Sequence, residues 1–157
     1  MKYATDNAIN LYLRTVQPMY DGVLGEIQKE ALAADVPIVP PETARLLSVL
    51  LTMQKPKHIL EIGTAVGFSA GLMCRYLPED GTVTTIDRFE VMLKDARKNI
   101  KRMGLEEKIQ ILEGDAADIL PTLHGPYDVI FLDAAKGQYS NFLPHCLRML
   151  PVGGLLI

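Results

Sequence analysis

The stretch His58-Ile-Leu-Glu-Ile-Gly-Thr-Ala-Val-Gly-Phe-Ser69 constrains this chain more than any other. Ile59, Leu60 and Ile62 make the short apolar run of a strand buried on both faces. Gly63 and Gly67 then break it ahead of a helical segment. From there β and α signals alternate. Strands are predicted to start near 58, 82, 109 and 128, separated by helices near 68–77, 90–103, 116–123 and 139–150. Repeated β-α units predict an α/β fold, a Rossmann-like doubly wound parallel sheet. Helices precede it: Asn7 to Val16, Tyr20 to Ala34, and one opened by Pro41-Glu-Thr-Ala and running through Met53. Proline at a first helical position with an acid in the first turn is a start signal. The expected organisation is one domain over 1–157, with a helical segment over 1–54 and the Rossmann-like core over 55–157. We find no internal repeat, low-complexity tract or flexible linker.

A strand, a glycine turn and a helix N-terminus form a nucleotide site at the carboxyl end of a parallel sheet. The dinucleotide fingerprint G-x-G-x-x-G uses its second glycine to bring backbone up to a pyrophosphate. Here Ala65 stands at that place, and the acid Glu61 lies just before the turn. An acid there repels a pyrophosphate and suits a ligand with a sulfonium and an ammonium, such as S-adenosylmethionine. Thr82-Val-Thr-Thr-Ile86 ends at Asp87, a little over twenty residues after the loop, the interval at which such folds place a carboxylate for ribose hydroxyls. Ile109 to Glu113 leads into Gly114-Asp115-Ala116, and Tyr127 to Leu132 leads into Asp133. Four acids therefore converge on one sheet edge, although Asp87 and Asp115 also suit helix N-caps.

With Glu61-Ile-Gly63-Thr-Ala-Val-Gly67-Phe-Ser69, Asp87, Gly114-Asp-Ala116 and Phe131-Leu-Asp133-Ala-Ala-Lys136-Gly-Gln-Tyr139 in place, the chain resembles a known family. That family is the class I, metal-dependent O-methyltransferases of the catechol and caffeoyl-CoA type, and within it the bacterial tRNA 5-hydroxyuridine methyltransferases. The resemblance runs from about Pro37 to the last residue. It implies S-adenosylmethionine as cofactor and Mg²⁺ or Mn²⁺ as metal. It further implies that Glu61 and Gly63 meet the methionine moiety, with Gly67 in the same loop, and that Ser69 meets its carboxylate. Asp87 would hold the ribose, Asp115 and Ala116 would line the adenine, and Val39 would cover the cofactor. Asp133 would be a metal ligand beside the cofactor, and Lys136 the base that takes the acceptor proton. The bland reading of Lys136 is a solvated surface lysine, and Phe68 reads as a core aromatic.

The implied reaction is methylation of tRNA wobble 5-hydroxyuridine. The alternatives are a small catechol-like phenol as acceptor, or a cofactor-binding module without catalysis. A homodimer is also implied. Lys2, Arg14, Lys55, Lys57, Lys98, Lys101 and Arg102 are candidate phosphate contacts for an RNA partner, against a net charge of −3. That charge excludes a dedicated, strongly basic nucleic-acid module. Cys74 and Cys146 fit no metal spacing and read as buried free thiols of a reducing compartment. The N-terminus lacks a signal-peptide core, and no apolar run reaches membrane-spanning length; a cytoplasmic protein is expected. His58, His124 and His145 read as structural, without plausible partners. Pro151-Val-Gly-Gly-Leu-Leu-Ile157 reads as a turn opening a fifth strand. Because relatives continue with an Asp-Asn pair that supplies metal ligands, a truncated form of a longer enzyme is expected.

Overall fold

Apolar runs at the starts of the alternating units give five parallel strands: β1 (His58–Ile62), β2 (Thr82–Asp87), β3 (Ile109–Glu113), β4 (Val129–Leu132) and β5 (Leu155–Leu156). The computed structural model describes residues 7–134 and 136–157. The sheet order is β3-β2-β1-β4-β5, so the direction of winding reverses beside β1, where a crevice opens in such sheets. In register, Glu61 lies beside Thr85 on one side and Phe131 on the other.

Side chains alternate across the sheet. Ile59, Val83, Val129 and Phe131 pack on one face with α2 (Gly22–Ala33), α3 (Pro41–Gln54), α4 (Phe68–Cys74) and Ile100 of α5 (Glu90–Met103). Leu60, Ile62, Ile86 and Ile130 pack on the other with Ala116 of α6 (Ala116–Ile119) and Phe142, Cys146 and Met149 of α7 (Tyr139–Met149). Helix α1 (Asn7–Val16) lies outside these cores, with Leu11 and Tyr12 about two-thirds exposed.

The start signal at Pro41 acts as read, and the end of α5 shows a stop signal that the sequence reading did not use. Pro40 precedes α3, with Pro41 in its first turn and Glu42 behind it. Gly104 ends α5 in the left-handed conformation, after Lys101 and Arg102 in the last turn. Four expectations shift. The helix expected near 116–123 is α-helical only over Ala116–Ile119 and tightens to a 3-10 turn over Leu120–Thr122, which holds Pro121. α2 begins at Gly22, two residues after Tyr20. α4 ends at Cys74 rather than at 77, because Arg75, Tyr76 and Leu77 bond back three residues in a tightened turn before Pro78. β4 begins at Val129, one residue past the expected start; Asp128 stands just before it, its carboxylate accepting the N–H groups of Lys57 and His58.

Candidate functional site

The carboxyl ends of β1 to β4 open onto a cavity of about 810 Å³, a volume typical of a small-molecule site. Its walls come from the Pro37–Pro40 segment, the loop after β1, the ends of β2, β3 and β4, and Gln138 with Phe142.

The loop after β1 is shaped by backbone. Gly63 has φ 111°, and a Cβ there would lie 2.5 Å from the carbonyl oxygen of Asp133. Glycine is required on both counts. Ala65 also adopts the left-handed region, at φ 44°, which is uncommon for a residue with a Cβ. The conformation aims its N–H at Asp87 Oδ2, 2.9 Å away. Gly67, at φ 79°, is the N-cap of α4 and donates to the carbonyl of Thr64 at 2.8 Å. Ser69 follows in the first turn, buried but on the cavity wall.

Asp87 accepts three backbone N–H groups: Ala65 on one oxygen, and Arg88 at 2.7 Å and Phe89 at 3.1 Å on the other. A carboxylate offers about four lone-pair sites, so acceptor capacity toward the cavity remains. The N-cap reading of Asp87 is corrected: Phe89 holds that position on α5, and Asp87 fixes the turn before it. Asp115 is an N-cap, accepting from Ala117 N–H at 2.9 Å on α6. Its other oxygen pairs with Arg88 at 2.6 Å. The Ala117 amide first, and Arg88 next, hold its carboxyl below the usual range. Arg88 in turn lies 5.2 Å from the centre of the Phe89 ring.

Gly63, Ser69, Asp87, Asp115, Ala116, Val39 and Asp133 all line the cavity. Glu61 does not reach the wall. It is wholly buried behind it, and Thr85 Oγ1 donates to its Oε2 at 2.5 Å. Thr64 Oγ1 lies 2.7 Å from Thr85 Oγ1. Burial above all pushes the Glu61 carboxyl up to about 8, and the charges of Asp133 and Asp87 add to the rise. The hydroxyls of Ser69 and Thr85 oppose it, although Ser69 makes no bond of ordinary geometry, and Glu61 Oε1 is buried without a hydrogen-bond partner.

Asp133 stands exposed at the end of β4, its N–H bonded to the Ile62 carbonyl at 2.9 Å. Lys136 opens a short 3-10 turn, Lys136–Gln138; its side chain lies outside the described residues. Phe68 is a core residue that also touches the cavity, its ring centre 5.9 Å from that of Tyr20 in an edge-on arrangement. His58 opens β1 where a strand was expected, and it is corrected on one point: it has a partner, its Nδ1 lying 3.1 Å from Thr82 Oγ1. Both cysteines are buried free thiols, and burial pushes Cys74 up to about 12.

Residue patterns missed Thr64 and Thr85, whose roles follow from strand pairing, and Arg88 and Phe89, whose position beside Asp87 was their only signal. Among the described residues no three of His, Cys, Asp and Glu gather in a set that could hold a metal ion. Asp133 alone is a poor cage for a hard divalent cation, so the described residues do not fit a metal by themselves. They do fit S-adenosylmethionine. The described charged groups on the wall are four carboxylates, Asp87, Glu90, Asp115 and Asp133, and Arg88, already paired. Gly63 leaves room that a Cβ would take, and an unpartnered carboxyl oxygen lies just behind.

A parallel sheet with a crevice at its switch point is a ligand-binding architecture of doubly wound folds. The O-methyltransferase family model matches residues 20–157, and the chain belongs to that family. It is 38% identical over 123 residues to a catechol O-methyltransferase from Niastella koreensis, covering 76% of this chain and 56% of that one. It is 32% identical over 123 residues to a caffeoyl-CoA O-methyltransferase from Populus kitakamiensis, covering 75% and 52%. The chain thus spans about half the length of the curated relatives it matches. Among solved structures, it superposes on an O-methyltransferase from Bacillus cereus in complex with SAH at TM-score 0.80, with 31% identity over 92% of this chain and 68% of that one. It also superposes on TomG from Streptomyces achromogenes in complex with SAM at TM-score 0.81, with 27% identity, covering 96% and 70%. No helix among the described residues is long and apolar enough to cross a membrane.

Proposed function

We propose that the chain binds S-adenosylmethionine and serves an O-methyltransferase that acts on a hydroxyl with a second oxygen on the neighbouring carbon. The observation that carries the cofactor is the acidic wall: Asp87, Asp115 and Asp133 lie on one cavity whose described cation, Arg88, is already paired. Such a wall repels a pyrophosphate and attracts a cationic nucleoside. S-adenosylmethionine supplies a methyl group on a positively charged sulfur. In this reading Asp87 accepts from the ribose, Asp115 and Ala116 meet the adenine, and Ser69 and Gly63 meet the amino-acid end under Val39. Bound there, the cofactor would present its methyl carbon to the acceptor oxygen, with Lys136 as the base for the acceptor proton. Most of the rate then comes from holding the partners in line. A divalent Mg²⁺ or Mn²⁺ bound through Asp133 would need further ligands.

For the acceptor we favour a catechol-like phenol over 5-hydroxyuridine in tRNA. The named relatives are catechol and caffeoyl-CoA enzymes. Several candidate phosphate contacts are also committed elsewhere: Arg14 to Glu42, Lys57 to Asp80, and Arg102 to Glu26 and Glu30. Lys2 lies outside the described residues.

Calorimetry with S-adenosylhomocysteine tests the cofactor. Binding is expected, and Asp87→Ala should weaken it by roughly 1.5–3 kcal/mol through lost charge-assisted hydrogen bonds. Equal affinity in both proteins would remove Asp87 from the site, and tight NADH binding would overturn the cofactor. Methyl transfer by the full-length enzyme to catechols, against tRNA lacking 5-methoxyuridine, tests the acceptor; transfer to tRNA alone would reverse the preference.

A further inference from the structure

Asn99 and Arg102 stand on α5, and neither is on the cavity wall. Asn99 interrupts the apolar face of that helix. Leu93, Ala96 and Ile100 are buried beside it, and it is itself 7% exposed. A buried amide needs partners. Its Nδ2 donates to the Val66 carbonyl at 3.0 Å, and its Oδ1 accepts from Arg102 Nη1 at 3.1 Å. A guanidinium only donates and a carbonyl only accepts, so each end of the amide has one possible partner. The bond from a cation also strengthens the donor at the other end. Val66 and Gly67 form the back of the loop after β1, whose front, Gly63 to Ala65, lines the cavity. Gly67 packs on the same helix: a Cβ there would lie 3.6 Å from Ala96, one turn before Asn99. Arg102 also reaches Glu30 at 2.7 Å and Glu26 at 3.1 Å on α2, the helix that precedes the Pro37–Pro40 wall.

We propose that Asn99 and Arg102 are positioning residues for the cofactor. Asn99 seats the back of the loop after β1, and Arg102 locks that seat to the helix leading into another wall. Neither touches the ligand. The carboxylates of Glu26 and Glu30 are largely exposed, and such surface pairs contribute little by themselves. The part-buried bond to Asn99 is the link through which Arg102 acts on the loop. This assignment rests on the S-adenosylmethionine reading and deepens it, and it gives Arg102 a task other than the phosphate contact expected of it.

The test combines S-adenosylhomocysteine calorimetry with hydrogen exchange of the unliganded chain, on the same preparations. Arg102→Ala should weaken binding by roughly three- to tenfold. It should also speed exchange of the Gly67 amide, which bonds to the Thr64 carbonyl, and leave the β1 amides unchanged. Arg102→Lys keeps a cation with donors and should recover most of the affinity. Asn99→Ala should match Arg102→Ala, and the double variant should bind no worse than Asn99→Ala alone, because one residue acts through the other. Additive losses would overturn the route through Asn99. If Asn99→Ala does not fold, the two Arg102 variants decide, by loss and recovery. A lower melting temperature in Arg102→Ala with affinity and Gly67 exchange unchanged would mark ordinary packing and overturn the assignment, leaving the cofactor reading standing. Failure of S-adenosylhomocysteine to bind the wild-type chain would overturn the cofactor reading, and the positioning role with it.

Discussion

Glu61 makes the stability of the unliganded chain depend on pH. Its folded-state value, about 8, lies above the ordinary 4.5, so between those values the folded chain holds a proton that the unfolded chain has lost. The stability this confers is complete below the unfolded value and is lost as pH rises through the folded one. Each pH unit across that window costs up to about 1.4 kcal/mol. Glu61→Gln cannot ionise and should therefore gain on the wild type by a few kcal/mol between pH 5 and pH 8. Urea unfolding at the two pH values measures it; parallel pH dependences in the two proteins would mean that Glu61 carries no such proton. Little of this was legible from residues alone. An acid before a glycine turn reads as a ligand contact, and the register that sets Thr85 beside Glu61 is a property of strand pairing. Asp87 and Asp115 were easier to read, because their meaning lies in their distance from the glycine loop and in the helix that follows each.

At the level of elements, the loop after β1 is held from two sides. The Asp87 carboxylate takes the Ala65 amide, and the Asp133 carbonyl closes on Gly63. Gly63→Ala should therefore cost at least ~1–3 kcal/mol from the left-handed backbone. It should also weaken S-adenosylhomocysteine binding, because the loop must move away from β4. A thermal melt and a binding isotherm on the same preparation check both; an unchanged melting temperature would mean that the contact relaxes freely. Strands and helices were largely legible, since parallel strands buried on both faces appear as short apolar runs between turn residues. The misjudged helix ends have local causes that periodicity does not register: the tightened turn before Pro78, and Pro121 inside the 3-10 turn that follows α6.

For the molecule as a whole, protection should follow burial. β1 is paired on both sides, and its residues from Ile59 to Ile62 are at most 1% exposed. α1 shows the exposed residues Ile9, Leu11, Tyr12 and Val16. Hydrogen exchange should be slowest in β1, β2 and β4, opening only with global unfolding, and fast in α1. Equal protection of α1 and β1 would contradict that gradient. The doubly wound topology was readable because the β-α alternation leaves few alternatives. Which of the basic residues remain available to a partner was not, because the acids that occupy Arg14, Lys57 and Arg102 lie far away in sequence or on another element.

The contact between Gly63 and the Asp133 carbonyl divides the cavity into parts with different freedom to change. The ends of β1 and β4 are fastened to each other there, and the Asp133 amide is bonded to the Ile62 carbonyl as well. Changes between Ala134 and α7 can reshape the Gln138 side of the cavity while this tie holds the loop after β1. A longer side chain at 63 cannot be accommodated without shifting both. On the proposed function, acceptor preference would then drift by loop exchange while the cofactor side stays fixed.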